Sequence, residues 1–521
     1  MPRPSARTAV AVVALTGLAT AACGTGGTTG GTAGSTASTG ATPQATLAAS
    51  DVNPNATVNI GLVLEPTSLD IATTSGAALD QILLDNIYQG LLTRNDQGQI
   101  LPSLASSYQE SADGLTYTFQ LVHNAKFHDG SPLTSADVVW SLDQVIAPST
   151  TNPDAAELAS VQSVSASGPY TVALHLKHRD TELTWELTDR EAVVFKQGTN
   201  LADLTDTENG TGPFKLAGWD RGSTITFDRN ASYWGAAPHA AKVVFHYITT
   251  SSTANNAELT GELDVETAAD ATLLSAFSGN SGFSVLRGTS TDKFTLAFNN
   301  ASGPTKDIRV REAIREAVNN AGLITALGGA DTQIGGPVPP SDPWYQDLTS
   351  VDAYNPAGAK ALLKAAGYGS GLTLSLQIPN IYSSTIGDYL TSELKQVGIT
   401  LDVHQIEFTT WLTDVFENHD YQLSVVDHAE AHDLSNYANP AYYFGYDDKQ
   451  VQQWYQEGVT ASSAAQRDTL WAEAAKQVSD DAASDWLYLM QDLTVVRSGV
   501  TGVPVNFTSD RYDLSGIEVA N

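Results

Sequence analysis

Residues 101–142 read "LPSLASSYQESADGLTYTFQLVHNAKFHDGSPLTSADVVWSL". Within them "LTYTFQLV" alternates apolar and polar residues like a strand with one covered face. Asp129-Gly130 has the composition of a turn. Thr134 and Ser135 then open a run with helical spacing, and Asp137 falls in its first turn, where a carboxylate favours a helix start. The stretch reads as strand, turn, helix. His128 and Asp129 are titratable neighbours, but their place in a turn makes them hydrogen-bonding members of that turn before catalytic groups.

Working outward, "TVNIGLVLEPTSLD" (57–70) reads as a strand running into a loop, and "YTVALHLK" (170–177) and "STITFDRN" (223–230) as further strands. "LDQILLDNIYQGLLTR" (79–94) carries Leu79, Ile82, Leu83, Ile87, Leu91 and Leu92 at helical spacing. The second half differs. "LTLSLQIP" (372–379), "IGDYLTSELKQVG" (386–398) and "ITLDVHQIE" (399–407) follow one another as strand, helix, strand, the order of a parallel crossover. "DIRVREAIREAVNNAGLITALGG" (307–329), "NPAGAKALLKAAGYG" (355–369) and "AAQRDTLWAEAAKQVSDD" (464–481) read as helices. Arg309, Arg311 and Arg315 are read as a solvated stripe on the first of these. The chain is a mixed α/β protein, β-rich first and α/β later.

With 521 residues it is long for one core and calls for two or more lobes. It holds 26 basic and 58 acidic residues, a net charge of −32. Such a balance repels nucleic acid and anionic surfaces, so no nucleic-acid partner is expected. The sole cysteine, Cys23, excludes an intramolecular disulfide and a cysteine-based zinc site. Arg3 and Arg7 precede "TAVAVVALTGLATAA" (8–22), an uncharged small and apolar stretch that suits an export signal over 1–22. Cys23 follows directly and resembles the lipid-anchored cysteine of a bacterial lipoprotein, with Thr20 where an aliphatic residue is usual. The Gly-, Ser- and Thr-rich residues after it read as a tether over 23–56. The expected location is the outer face of a membrane.

Residues 101–142 also resemble the family 5 extracellular solute-binding proteins, the oligopeptide and dipeptide receptors of ABC importers. The likeness continues through "GTGPFKLAGWDRGSTITFDRNASYWG" (210–235), "LTGELDV" (259–265), "FTLAFNNASGPTKDIRVREAIREAVNN" (294–320), "NPAGAKALLKAAGY" and "GDYLTSELKQVGITLDV", in the family's order. It implies a two-lobed α/β fold like the class II periplasmic binding proteins, with lobe I over 57–290, an extra subdomain over about 91–208, lobe II over 291–492 and a return to lobe I over 493–521. Crossings near Arg287–Asp292 and Leu493–Val496 would form the hinge. The implied role is the non-enzymatic capture of peptides and their delivery to a permease, as a monomer without a cofactor. A sensing role would use the same cleft.

Three places are candidates for the ligand. The loop "DIATTSGAALD" (70–80) borders the cleft in the family, which points to Thr74, Ser75, Gly76 and Ala77. Trp411 in "QIEFTTWLTDVF" falls where the resemblance puts a cleft-facing aromatic ring, with packing in the lobe core as the other reading. The third is "DHAEAHD" (427–433), where relatives carry an acidic loop whose aspartate pairs with a peptide's amino terminus. Relatives show Trp, Asp and then Asp-Pro there, whereas this chain has no Trp, and Pro440 comes later. Asp433 is the first choice for the amine partner and Glu430 the second, with His428 tuning the charge or touching the ligand and Tyr437 walling the pocket. By residue type alone, His428, Glu430 and His432 at i, i+2 and i+4 could share one face of a strand and hold a metal or metal chelate. A secreted hydrolase is the remaining alternative. No G-x-S-x-G or H-E-x-x-H supports it.

Overall fold

The computed structural model describes Gln44 and residues 46–521 apart from Ser75. The expected signal over 1–22 and Cys23 lie outside the described residues. The described end of the expected tether is fastened down. Val52 bridges to Ala520, and the Gln44 side chain exchanges hydrogen bonds with the backbone of Val503. Among the described residues no helix is long and apolar enough to cross a membrane.

A ten-stranded mixed sheet runs through the molecule. Its middle is an antiparallel pair of long strands, Phe283–Phe298 and Ser484–Arg497. On one side lie Val265–Glu266, Thr57–Leu62, Lys242–Tyr247, Thr224–Arg229 and Phe214–Asp220. On the other lie Leu423–His428, Leu372–Pro379 and Ile399–Ile406. The register of the long pair is regular from Phe283↔Arg497 to Thr289↔Gln491, slips, and resumes at Lys293↔Leu489. Each half of the sheet has its own core. Val58, Ile60, Phe227 and Phe245 belong to the first, and Leu296, Leu374, Leu376 and Val425 to the second. Two lobes thus share one pair of strands, whose register shifts between Thr289 and Lys293.

The crossover read from the sequence is present. Leu372–Pro379 and Ile399–Ile406 pair in parallel, and the helix Ser384–Gln396 between them buries Ile386, Leu390 and Leu394. The opening stretch also folds as read. Thr116–Leu121 is a strand of a separate four-stranded antiparallel sheet, and helix Ser135–Ile146 starts with a reciprocal cap between Thr134 and Asp137. This sheet and helix share a core drawn from Leu91 to Val194. Asp129 accepts from Ser131 and pairs with Lys196, and His128 lies against Glu208 and the Gly212 carbonyl. A Cβ at Gly210 would overlap the Ile87 carbonyl and one at Gly212 that of Asn86, so "GTGPF" takes a path that only glycine allows.

Two readings need correction. The helix expected over 79–94 covers only Ala77–Leu83. Asp85 has φ +61°, and its carboxylate is gripped by Thr93 at 2.7 Å and by Arg511. A partner from the far end of the chain overrides the local periodicity. Second, Arg311 and Arg315 are buried, and only Arg309 is solvated. Arg311 donates to the carbonyls of Thr305, Asp481 and Ala482, and Arg315 to that of Ser479 at 2.5 Å. Ser479, Asp481 and Ala482 lie at the carboxyl end of helix Ala464–Asp480, where carbonyls lack intrahelical donors and the helix dipole favours a cation.

Candidate functional site

Leu372–Pro379 runs parallel to both Ile399–Ile406 and Leu423–His428. In open α/β sheets ligands gather outside the carboxyl ends of parallel strands. Tyr382, Phe408 and the loop 427–433 all follow those ends here. The strand ends at His428, and His432 takes φ +57°, so the alternation that would align His428, Glu430 and His432 does not persist. His428 is buried with Nε2 2.9 Å from the Tyr443 hydroxyl, and burial pushes its pKa down to about 4. His432 turns toward Glu182, with Nδ1 2.5 Å from Oε2. Among the described residues no group of three or more His, Cys, Asp and Glu is set to hold a metal ion. The metal triad is not formed, because the turn separates its members.

Asp433 is buried, and its Oδ2 lies 3.4 Å from Nζ of Lys293, itself buried. Burial pushes the Asp433 carboxyl up to about 7 against the pull of Lys293. The Glu430 backbone carbonyl accepts from the same Lys293, while the Glu430 residue is exposed. The first-choice carboxylate is therefore already paired, and the second is open.

Around Glu430 stands a set of carboxylates from distant parts of the chain. Asp292 and Asp492 come from the two long strands. Asp292 Oδ1 accepts from Ser509 and Asp492 Oδ2 from the Thr508 N–H, so both are tied to the returning segment. Burial raises Asp292 to about 6 and Asp492 to about 7. Asp427 is also raised, by burial and then by the charges of Asp292, Glu430 and Asp492, with Lys293 opposing. Its N–H donates to the Tyr382 hydroxyl at 3.2 Å. The nearby cations are already engaged. Arg94 pairs with Asp189 and Asp510, Arg190 with Asp80 and Asp154, and Arg511 with Asp85 and Asp189. Burial and mutual repulsion favour the protonated forms of these acids, and a cation placed among them would favour the ionised forms, so the arrangement suits a cation.

Trp411 is not the exposed ring of its segment. Trp411 is 4% exposed and its indole N–H donates to Ser424 Oγ at 2.8 Å, so it packs in the lobe core. Phe408 and Phe416, on either side of it in sequence, are 38% and 39% exposed, and Leu412 is also exposed. Phe416 meets Tyr442 edge-on at 5.7 Å, and Tyr442 is near enough to Glu430 to feel its charge. Tyr437 is buried, bonded to Ser484 and stacked on Phe444, and does not wall an open pocket. In the loop 70–80 the Thr74 carbonyl accepts from Arg190, which also holds the Ile71 carbonyl and pairs with Asp154. Gly76 and Ala77 are exposed at the start of the following helix, and Ser75 lies outside the described residues. Asp154 feels the charge of Glu430, so this loop is linked through Arg190 and Asp154 to the acidic set.

Asp292, Asp492, Tyr382 and Glu182 escaped the sequence reading. They carry no local signature, since they meet only through sheet pairing and lobe contact. Asp427 lies in the heptad 427–433, but nothing in its sequence neighbourhood sets it apart from Glu430 or Asp433.

A model of the bacterial extracellular solute-binding proteins, family 5, matches residues 99–450. Proteins of Brucella ovis and other Brucella species, named as ABC transporter peptide-binding proteins, are 29% identical over 331 residues. That match covers 61% of this chain and 62% of theirs, so the chain spans under two thirds of those relatives' length. The periplasmic murein peptide-binding protein MppA of Escherichia coli is 26% identical over 502 residues, 86% of this chain and 90% of that protein. Among solved structures, the binding protein AgaA of A. tumefaciens R10 in complex with agropinic acid superposes with a TM-score of 0.77 at 26% identity, covering 89% of this chain and 99% of its own.

Proposed function

Because the chain belongs to the family 5 bacterial extracellular solute-binding proteins, we propose that it is the exported receptor of an ABC importer, capturing di- or oligopeptides between its lobes and delivering them to the permease. The observation that carries the peptide reading is Glu430, an exposed carboxylate at the carboxyl ends of parallel strands, beside Asp427, Asp292 and Asp492. A carboxylate set with its local cations already paired favours an ammonium group and disfavours an anion. Phe408, Leu412 and Phe416 supply apolar surface on the same lobe for a neighbouring side chain. Relatives named for peptide binding support the same class.

AgaA, with its acidic ligand, and NikA of Brucella suis, solved with Fe(III)-EDTA, mark the other solutes this fold accommodates. Both ligands carry carboxylates, and the acidic set around Glu430 opposes them. Binding needs no covalent chemistry, only a closed state that holds the solute better than the open one.

Mass spectrometry of small molecules that co-purify with the exported protein tests the class directly. Calorimetry then compares a tripeptide with its N-acetylated form. The free amine should bind at least about tenfold tighter, the difference expected for one charged hydrogen bond. Equal affinities would overturn the amine-binding reading.

A further inference from the structure

Glu182 joins the two lobes. It belongs to the part of the chain packed on the core from Leu91 to Val194, and its carboxylate reaches across to lobe II. There Oε2 meets His432 Nδ1 at 2.5 Å, and Oε1 accepts from Arg467 Nη1 at 3.1 Å. Next to it, Thr181 donates its N–H to the Val459 carbonyl at 2.9 Å and its hydroxyl to that of Gly458 at 3.2 Å. The His432 ring is stacked on Trp185, beside Glu182 in lobe I, at 3.9 Å, and meets Trp344 of its own lobe edge-on at 4.7 Å. The Arg467 guanidinium lies over the Trp344 ring at 5.0 Å. Both ends of the contact are thus held by packing before the charges meet.

We infer that Glu182 is a closure latch, gripping the His432 imidazolium and the Arg467 guanidinium so that the lobes close more firmly when His432 is protonated. The latch rests on the receptor reading above in one respect: closure is what retains a solute.

The charges facing His432 come from several elements. Asp342 Oδ1 lies 4.0 Å from Nε2, and Asp189 and Glu182 add negative charge from lobe I. Arg94 stands over the Trp185 ring at 4.0 Å, and Lys293 acts beside Asp342. Burial and Arg94 work against the imidazolium, but Glu182 and Asp342 outweigh them, and the His432 pKa is raised. Burial likewise opposes the Glu182 carboxylate, yet His432 and Arg467 hold its pKa below the ordinary value. A histidine raised on closing contributes fully below its ordinary pKa, and the contribution is lost as pH rises through the raised value. Acid should therefore close the lobes and alkali should loosen them.

The test is a distance measurement on the full chain without solute, which separates the latch from the identity of any ligand. Spin labels on Ser107→Cys and Ser392→Cys, exposed positions in the two lobes, with Cys23→Ser, report the lobe separation by pulsed electron resonance. The population at the short separation should be about threefold or more larger near pH 5.5 than near pH 8.5. Glu182→Gln and His432→Gln should each reduce that population at the lower pH and remove its pH response. The latch is overturned if the parent shows no pH response, or if both variants keep it. Calorimetry with peptides at one fixed pH reports separately on the receptor reading.

Discussion

Lys293 Nζ stands 3.4 Å from Asp433 Oδ2 and also donates to the backbone carbonyls of Thr291 and Glu430. The lysine thereby ties the long strand Phe283–Phe298 to the loop that carries the candidate amine partner. A buried ammonium cannot do without its partners, nor a buried carboxylate without its counter-charge. Lys293→Met should lose about 3–5 kcal/mol of stability in urea unfolding, the range for breaking one side of a buried pair. Adding Asp433→Asn should recover part of that loss, because the stranded carboxylate disappears. If the two losses simply added, the pair would not be coupled.

The same contact separates the two carboxylates as ligand groups. Asp433 is occupied by Lys293, while Glu430 contributes only its backbone to that lysine and keeps an exposed side chain. Glu430→Gln should weaken an amine-bearing peptide by about tenfold or more, equivalent to roughly 1.5–3 kcal/mol. Asp433→Asn should change affinity by less and act mainly on stability. Calorimetry on both variants decides between them. A larger affinity loss for Asp433→Asn would return the role to that residue.

The extent to which the sequence was legible follows from where each signal originates. The crossover over 372–406 could be read because its periodicity and stops are local, and the structure has it. The helix at 79–94 could not, because Asp85 is held by Arg511, 426 residues away. In the candidate site, "DHAEAHD" stood out by residue type. Its sense changed because the strand ends at His428 and the chain then turns, sending His428 and His432 to different partners. Trp411 allowed two readings, cleft-facing or packed in the lobe core, and its burial matches the second, while Phe408 and Phe416 hold the exposed positions. Asp292 and Asp492 lie in strands whose sequence shows nothing but β pattern.

Arginines on one helix offer a sharper contrast than their spacing suggests. Arg309 is exposed and pairs with Asp307. Arg315 is buried, serves the carbonyls of Ser479, Gly335 and Val351, and pairs with Asp352 at 3.1 Å. Arg309→Ala should stay within about 0.5 kcal/mol of the parent, as exposed substitutions do. Arg315→Ala should cost about 3–5 kcal/mol by removing a buried guanidinium and leaving the half-buried Asp352 carboxylate without its counter-charge. Chemical unfolding of the two variants side by side measures the difference. A matched pair of small losses would mean that Arg315 is solvated after all.

Glu258 links lobe I to pH. It lies on helix Ser251–Thr260, fully buried, and among the described residues neither carboxyl oxygen has a hydrogen-bond partner. Burial raises its pKa to about 8, helped by the charges of Glu266 and Asp264 and opposed by Arg497. The folded pKa is above the unfolded value of 4.5. The unfolded chain therefore releases this proton at lower pH than the folded one, and stability falls as pH rises between about 4.5 and 8. Glu258→Gln removes the ionisation while keeping the shape. It should be near-neutral around pH 5 and more stable than the parent by about 1–3 kcal/mol at pH 8.5, the cost of desolvating an unpaired charge. Urea unfolding at the two pH values checks both halves. A glutamine variant less stable than its parent at the higher pH would show that the ionised Glu258 has a partner within the fold.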